Sequence, residues 1–160
     1  MAGKRETRTN AAGMVRMVDV GKKPVTRREA VARGRITMRS ETLASVRSGT
    51  VPKGDVLAAA RLAGIMASKQ TPSLLPLCHP LPIDEAALDF AFSDDPAAVE
   101  IEARVRCTAR TGAEMEALTA VCVAALSIYD MCKPLDTTMR IDAVRLVKKS
   151  GGKSGTVVLE

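Results

Sequence analysis

Residues 88–108 read LDFAFSDDPAAVEIEARVRCT, and their alternation decides the fold. Leu88, Phe90 and Phe92 alternate with Asp89, Ala91 and Ser93; Val99, Ile101, Ala103, Val105 and Cys107 alternate with Glu100, Glu102, Arg104, Arg106 and Thr108. A period of two sends the two sets to opposite faces of a strand. Asp94-Asp95-Pro96 supplies the turn, so the stretch predicts an antiparallel hairpin with one apolar and one solvated face.

Downstream, Gly112 to about Cys132 reads as a long helix. Met115, Leu118, Cys122, Leu126 and Tyr129 form one stripe, and Val121, Ala124, Ala125 and Ile128 widen it. A helix apolar nearly all round needs cover on more than one side, for which a second subunit is a natural source. Met139 to Lys148 reads as a strand, with Thr156 to Leu159 as an extension after a glycine-rich turn. Upstream, four prolines between residues 71 and 82 predict a stiff loop. The Ala-rich run Lys53 to Lys69 is helical in pattern, and Ser40 with Leu43 and Val46 predicts a short capped helix closed by Gly49. Arg28 to Met38 reads as the first strand, and Met17 to Val20 as a short extended piece. Residues 1–13 are polar and without periodicity, which predicts a mobile tail ahead of one α+β domain over 14–160. Strand, helix, helix, strand, strand, helix, strand is most simply packed as a ferredoxin-like antiparallel sheet with helices on one face.

The chain has 160 residues, 46% hydrophobic and 26% charged, the balance of one globular domain. With 2% aromatics, the core is built from small aliphatic side chains and close backbones. The same scarcity argues against folds that stack bases on aromatic platforms. A net charge of +6 calls for an anionic partner without choosing between a nucleic acid and a phosphorylated small molecule. Cys78, Cys107, Cys122 and Cys132 show neither a C-x-x-C pair nor a disulfide framework, which fits free thiols in the cytoplasm. The N-terminus has no apolar signal segment, and the twelve-residue apolar stretch Leu118–Tyr129 is too short to span a bilayer.

Several local patterns carry chemistry. His79, the one histidine, lies in Leu77-Cys78-His79-Pro80, where prolines preorganise the loop. Adjacent Cys and His do not make a metal site. Lys149-Ser150-Gly151-Gly152-Lys153-Ser154-Gly155 fails the P-loop pattern, since Val147 stands where glycine is needed, but it can form an anion-binding nest. Asp130 and Lys133, three apart on a helix, meet either as a surface ion pair or as a proton-transfer pair. Lys53 stands at a helix start, where a cation opposes the dipole. Glu116 in a first helical turn reads as a dipole partner or a ligand. Arg28 and Arg39 flank the first strand and would suit a polyphosphate if clustered with Lys149 and His79.

Together, MVDV (17–20), TMRSETL (37–43), KGDV (53–56), AGI (63–65), LCHPL (77–81), TGAEMEALTA (111–120), YDMCK (129–133) and KSGGKSG (149–155) make the chain resemble the molybdenum cofactor biosynthesis protein C family. The likeness runs over nearly the whole sequence. It implies a ferredoxin-like fold assembled as a homohexamer, a trimer of dimers, with the site at a subunit interface. It implies a lyase that converts 3′,8-cyclo-7,8-dihydroguanosine 5′-triphosphate to cyclic pyranopterin monophosphate and diphosphate, with no redox cofactor and no resident metal beyond Mg²⁺ on the triphosphate. By this likeness Asp130, Lys53 and Lys133 are catalytic. Leu77, Cys78, His79, Met115 and Glu116 contact substrate, and Arg28, His79 and Lys149 hold the triphosphate or assist proton movement; Arg39 and Lys153 are weaker matches. A crowd of cations is expected to lower a neighbouring lysine's pKa toward working pH. Two rival readings remain at this point: a nucleic-acid-binding module, whose affinity falls steeply with salt, and a regulatory oligomer that binds nucleotide without turnover. Retention of Lys53, Asp130 and Lys133 argues against the second.

Overall fold

The chain, described over residues 13–160 by a computed structural model, runs β1 (Thr26–Thr37), α1 (Ser40–Ser48), α2 (Val56–Leu74), β2 (Ile83–Asp94), β3 (Ala97–Ala109), α3 (Glu114–Cys132), β4 (Arg140–Ser150) and β5 (Val157–Val158). The expected tail lies, apart from Gly13, outside the described residues. All strands join one sheet in the order β2-β3-β1-β4-β5, every neighbour antiparallel. The arrangement is the expected ferredoxin-like α+β fold, with β5 added at one edge.

The hairpin register pairs Leu88 with Ala103, Phe90 with Ile101 and Phe92 with Val99, as the alternation requires. Val99, Ile101, Ala103, Val105 and Cys107 are buried under the helices. The opposite face carries cross-strand charges: Glu29 accepts from Arg106 at 2.7 Å and Lys148 at 3.2 Å, and Arg33 meets Glu102 at 2.8 Å. Such pairs add little stability each, but they let a two-signed face stand in water.

Helix α3 packs on β1, β3 and β4 and lies beside α2, which itself rests on β2, and it buries Ala117, Ala120, Val121, Ala124, Ala125 and Ile128. Small residues on both neighbours permit this approach. A Cβ on Gly34 of β1 would stand 2.7 Å from Val121 Cγ1, and one on Gly64 of α2 would stand 2.4 Å from Leu88 Cδ2 and 2.9 Å from the Ala120 carbonyl. Gly64→Ala should therefore cost about 1–3 kcal/mol by overpacking, read as a lower melting temperature. An unchanged Tm would show that α2 can move off α3 at no cost. The expected stripe remains on the outer side of α3, with Met115 41% and Leu126 56% exposed; Leu62 and Met66 of α2 are also exposed. At 19 residues and mean hydropathy 1.5, α3 as a whole is longer than its apolar stretch suggests and long enough to cross a membrane, yet here it serves as the core helix.

Three local expectations are corrected. Ser40 does not cap α1. Arg39 holds the cap position, and its N–H is satisfied from outside the helix by Asp136 Oδ2 at 2.8 Å. Gly49 closes α1 in the left-handed conformation, as expected. Helix α2 begins at Val56 because Asp55 accepts the Ala58 N–H at 2.9 Å, so Lys53 precedes the helix rather than opposing its dipole. It then continues through Pro72 to Leu74. Proline in the last turn removes only one ladder bond, and Thr71 Oγ1 donates to Ala67 O there. The short piece Met17 to Val20, for its part, pairs with no strand of the sheet.

Candidate active site

The proposed functional groups collect at two ends of α3. At its C-terminal end, Lys53 Nζ donates to Asp130 Oδ2 at 3.0 Å and to the Asp130 carbonyl at 2.8 Å, and Lys133 Nζ donates to Asp130 Oδ1 at 2.7 Å. The i, i+3 spacing on α3 brings Lys133 to Asp130. The turn between α1 and α2 brings Lys53 across from elsewhere in the chain. Hydrogen bonds from Lys133, then Lys53, hold the Asp130 carboxyl below its ordinary value. The Asp130 carboxylate in turn holds Lys133 above the ordinary lysine value. This overturns, for Lys133 in the single chain, the expectation of a lysine tuned downward: with a carboxylate at contact and no cation closer, the resting group is a proton donor.

At the N-terminal end, the strand register sets Arg28 opposite Cys107 and Lys149 opposite Ala30. Arg28 Nε donates to the Ala109 carbonyl at 3.1 Å and Nη2 to the Arg110 carbonyl at 3.2 Å, while Lys149 reaches Glu114 at 3.2 Å. The glycine-rich turn lies directly on Arg28. A Cβ on Gly152 would come within 2.5 Å of Arg28 Nη1, and Gly151, at φ +97°, would place one 2.2 Å from the Arg27 carbonyl. Only glycine lets that backbone lie against the guanidinium. The result is a corner beside the first turn of α3 where Arg28, Lys149 and the glycine turn meet, suited to phosphate. Lys153 stays exposed on the same turn.

Cys78 Sγ donates to Glu116 Oε1 at 3.6 Å, which ties LCHPL to α3. Met115 stands exposed beside it, and Leu77 lines a cleft with His79. Glu116 is 1% exposed and its Oε2 has no partner among the described residues, so it is a buried acid rather than a solvated dipole partner. Burial pushes its carboxyl above the ordinary range. A raised acid binds its proton more tightly folded than unfolded, so it weakens the fold as pH rises through its folded pKa. Glu116→Gln should accordingly raise Tm relative to the parent near neutral pH, with the difference vanishing toward pH 4. A pH-independent difference would mean that the carboxyl titrates in the fold where it does in the unfolded chain.

Arg39 does not join Lys149 and His79. It follows the far end of β1 from Arg28, about 36 Å along an extended strand, and contacts the Asp136 carboxylate and the Leu135 carbonyl past α3. Sequence reasoning passed over Asp136, Glu114 and the carbonyl of Val18, which lies 2.8 Å from His79 Nε2. Glu114 had a visible signal, as a second acid in the first turn of α3. The others had none, since their partners are remote in sequence. Among the described residues, no group of three His, Cys, Asp or Glu side chains is placed to hold a metal ion.

What this geometry can do is bind a polyanion and exchange protons with it, on a ferredoxin-like α+β frame. The model of the MoaC family matches residues 17–152, and the chain belongs to that family. It is 62% identical over 151 residues to a cyclic pyranopterin monophosphate synthase of Chloroflexus aurantiacus, covering 93% of this chain and 91% of the relative. Enzymes of the same name from Roseiflexus castenholzii and Novosphingobium aromaticivorans are 56% identical over 154 residues and 59% identical over 150, covering 96% and 94% of this chain and 98% and 94% of theirs.

Proposed function

We infer that this chain is a lyase of molybdenum cofactor biosynthesis, converting 3′,8-cyclo-7,8-dihydroguanosine 5′-triphosphate to cyclic pyranopterin monophosphate with release of diphosphate. The observation that carries the reading is its similarity, over nearly its whole length, to enzymes named for that product, joined to a carboxylate clasped by two ammonium groups. Opening one ring, closing another and forming a cyclic phosphate all move protons and need no electron. Lys53 and Lys133 give protons, and Asp130 positions both ammonium groups. Arg28, Lys149 and the glycine turn meet the charge that grows on departing diphosphate. Leu77, Cys78, His79, Met115 and Glu116 take the base-derived end. The reading needs no redox cofactor, gives Mg²⁺ at most a role on the triphosphate, and places the enzyme in the cytoplasm without nucleic-acid or membrane partners.

The working unit is an oligomer. Glu116 and Asp130 lie fourteen positions apart on one helix, about 21 Å along its axis, too far to serve one substrate in one chain. A second copy packed antiparallel on the exposed stripe of α3 would set the N-terminal end of one helix beside the C-terminal end of the other and complete two sites at once. Three such dimers would make the hexamer. The test is to supply the cyclised nucleotide to the purified chain and follow both products. Diphosphate and cyclic product should appear in equal amounts, with the activity in the oligomeric fraction on sedimentation. Binding without turnover would leave a nucleotide-binding oligomer instead.

A further inference from the structure

His79 sits under the segment that precedes β1. Its Nε2 is 2.8 Å from the main-chain carbonyl of Val18, the contact that joins MVDV to LCHPL. A carbonyl oxygen only accepts, so the hydrogen of that bond belongs to Nε2. In the neutral ring this leaves Nδ1 bare, and Nδ1 makes no hydrogen bond among the described residues. His79 also lines two neighbouring openings, together with Val20 and Thr111. One is a cleft of about 260 Å³ between the segment (Arg16, Val18, Lys23) and Leu77 and Thr111. The other is an apolar hollow of about 420 Å³ over Pro80, Leu81 and Pro82. One ring nitrogen is thus spent on the backbone, while the other remains unengaged in a side chain bordering open volume.

We propose that the Val18 carbonyl is a positioning group, which holds His79 with its hydrogen on Nε2 and presents Nδ1 to the bound substrate as a hydrogen-bond acceptor. This rests on the function inferred above, and it separates two roles the loop motif left open. His79 receives a proton or hydrogen bond from the base-derived part of the substrate, and it is not a cation for the triphosphate. It also makes the segment around Val18 part of the site, although that segment belongs to no strand or helix. Second-sphere groups of this kind commonly select the tautomer of a working histidine.

The chain has a single histidine, so its ring can be read directly in the full-length protein. With ring-¹⁵N histidine and carbonyl-¹³C valine at pH 8, the hydrogen should be on Nε2, and a coupling should cross the hydrogen bond to the Val18 carbonyl carbon. A hydrogen on Nδ1, or no such coupling, overturns the proposal without touching the functional reading, since no substrate is present. Adding GTP as an unreactive probe should then shift Nδ1 more than Nε2. GTP that binds by calorimetry yet leaves Nδ1 unmoved removes its substrate-facing role. GTP that does not bind at all counts against the functional reading and this role together, leaving only the tautomer. In the full-length double variant Met17→Gly, Val18→Gly, with circular dichroism unchanged, the ring should become a tautomer mixture and kcat should fall about tenfold, with KM within about twofold. An unchanged kcat with a mixed tautomer would make the contact merely structural.

Discussion

Lys53→Ala and Lys133→Ala should each lower turnover by about a hundredfold or more while leaving the fold intact, read as diphosphate release alongside circular dichroism. The two expectations have separate grounds. Both ammonium groups are solvent-exposed and, among the described residues, pair with Asp130 at the surface, so neither holds the core together. Their loss is chemical instead. Each ammonium donates to the same carboxylate, and the two approach it from different elements, so that neither replaces the other. A variant that turns over at the parental rate removes that lysine from the reaction. A variant that unfolds would show that the clasp between the α1–α2 turn and α3 is structural.

The second large effect is a recovery. Lys53→Ala damages the C-terminal end of α3 and Arg28→Ala the N-terminal end. If one site takes its groups from two chains, each pure variant is impaired at every site when assayed with substrate below KM. Mixing them through a reversible dissociation step makes half of the dimers mixed. Each mixed dimer holds one site free of both changes and one carrying both, so about a quarter of parental activity should return. Mixing Lys53→Ala with Lys133→Ala should restore nothing, because both changes fall at the same end. Recovery in that control, or none between Lys53→Ala and Arg28→Ala, would contradict a site shared in this way.

Much of the fold was legible because its elements repeat locally. The Leu88–Thr108 alternation needs only the two-residue period of a strand, and the α3 stripe only the helical period. The hairpin emerged with its expected faces, while on α3 the residues that widen the stripe are the buried ones and Met115 and Leu126 stay exposed. The departures came where a remote partner overrode a local rule. Ser40 looked like a cap until Asp136, from beyond α3, satisfied the Arg39 N–H. Pro72 looked like a helix stop, but it fell where a helix could lose one bond. Glu116 looked like a solvated first-turn acid, and Cys78 and the packed sheet enclose it instead. Arg28 and Arg39 suited a polyphosphate only if they clustered, and a whole strand lies between them.

By itself, the order of amino acids determined the ferredoxin-like layering, the small-residue core and the set of charged groups to consider, because periodicity, volume and charge are properties of neighbouring residues. Only the tertiary structure decided how those groups are shared out: a carboxylate with two lysines at one end of α3, the phosphate-suited corner at the other, and the His79 ring engaged by a backbone carbonyl. Those relations depend on helix length, strand register and turns that bring distant segments together, and no local pattern encodes the resulting distances.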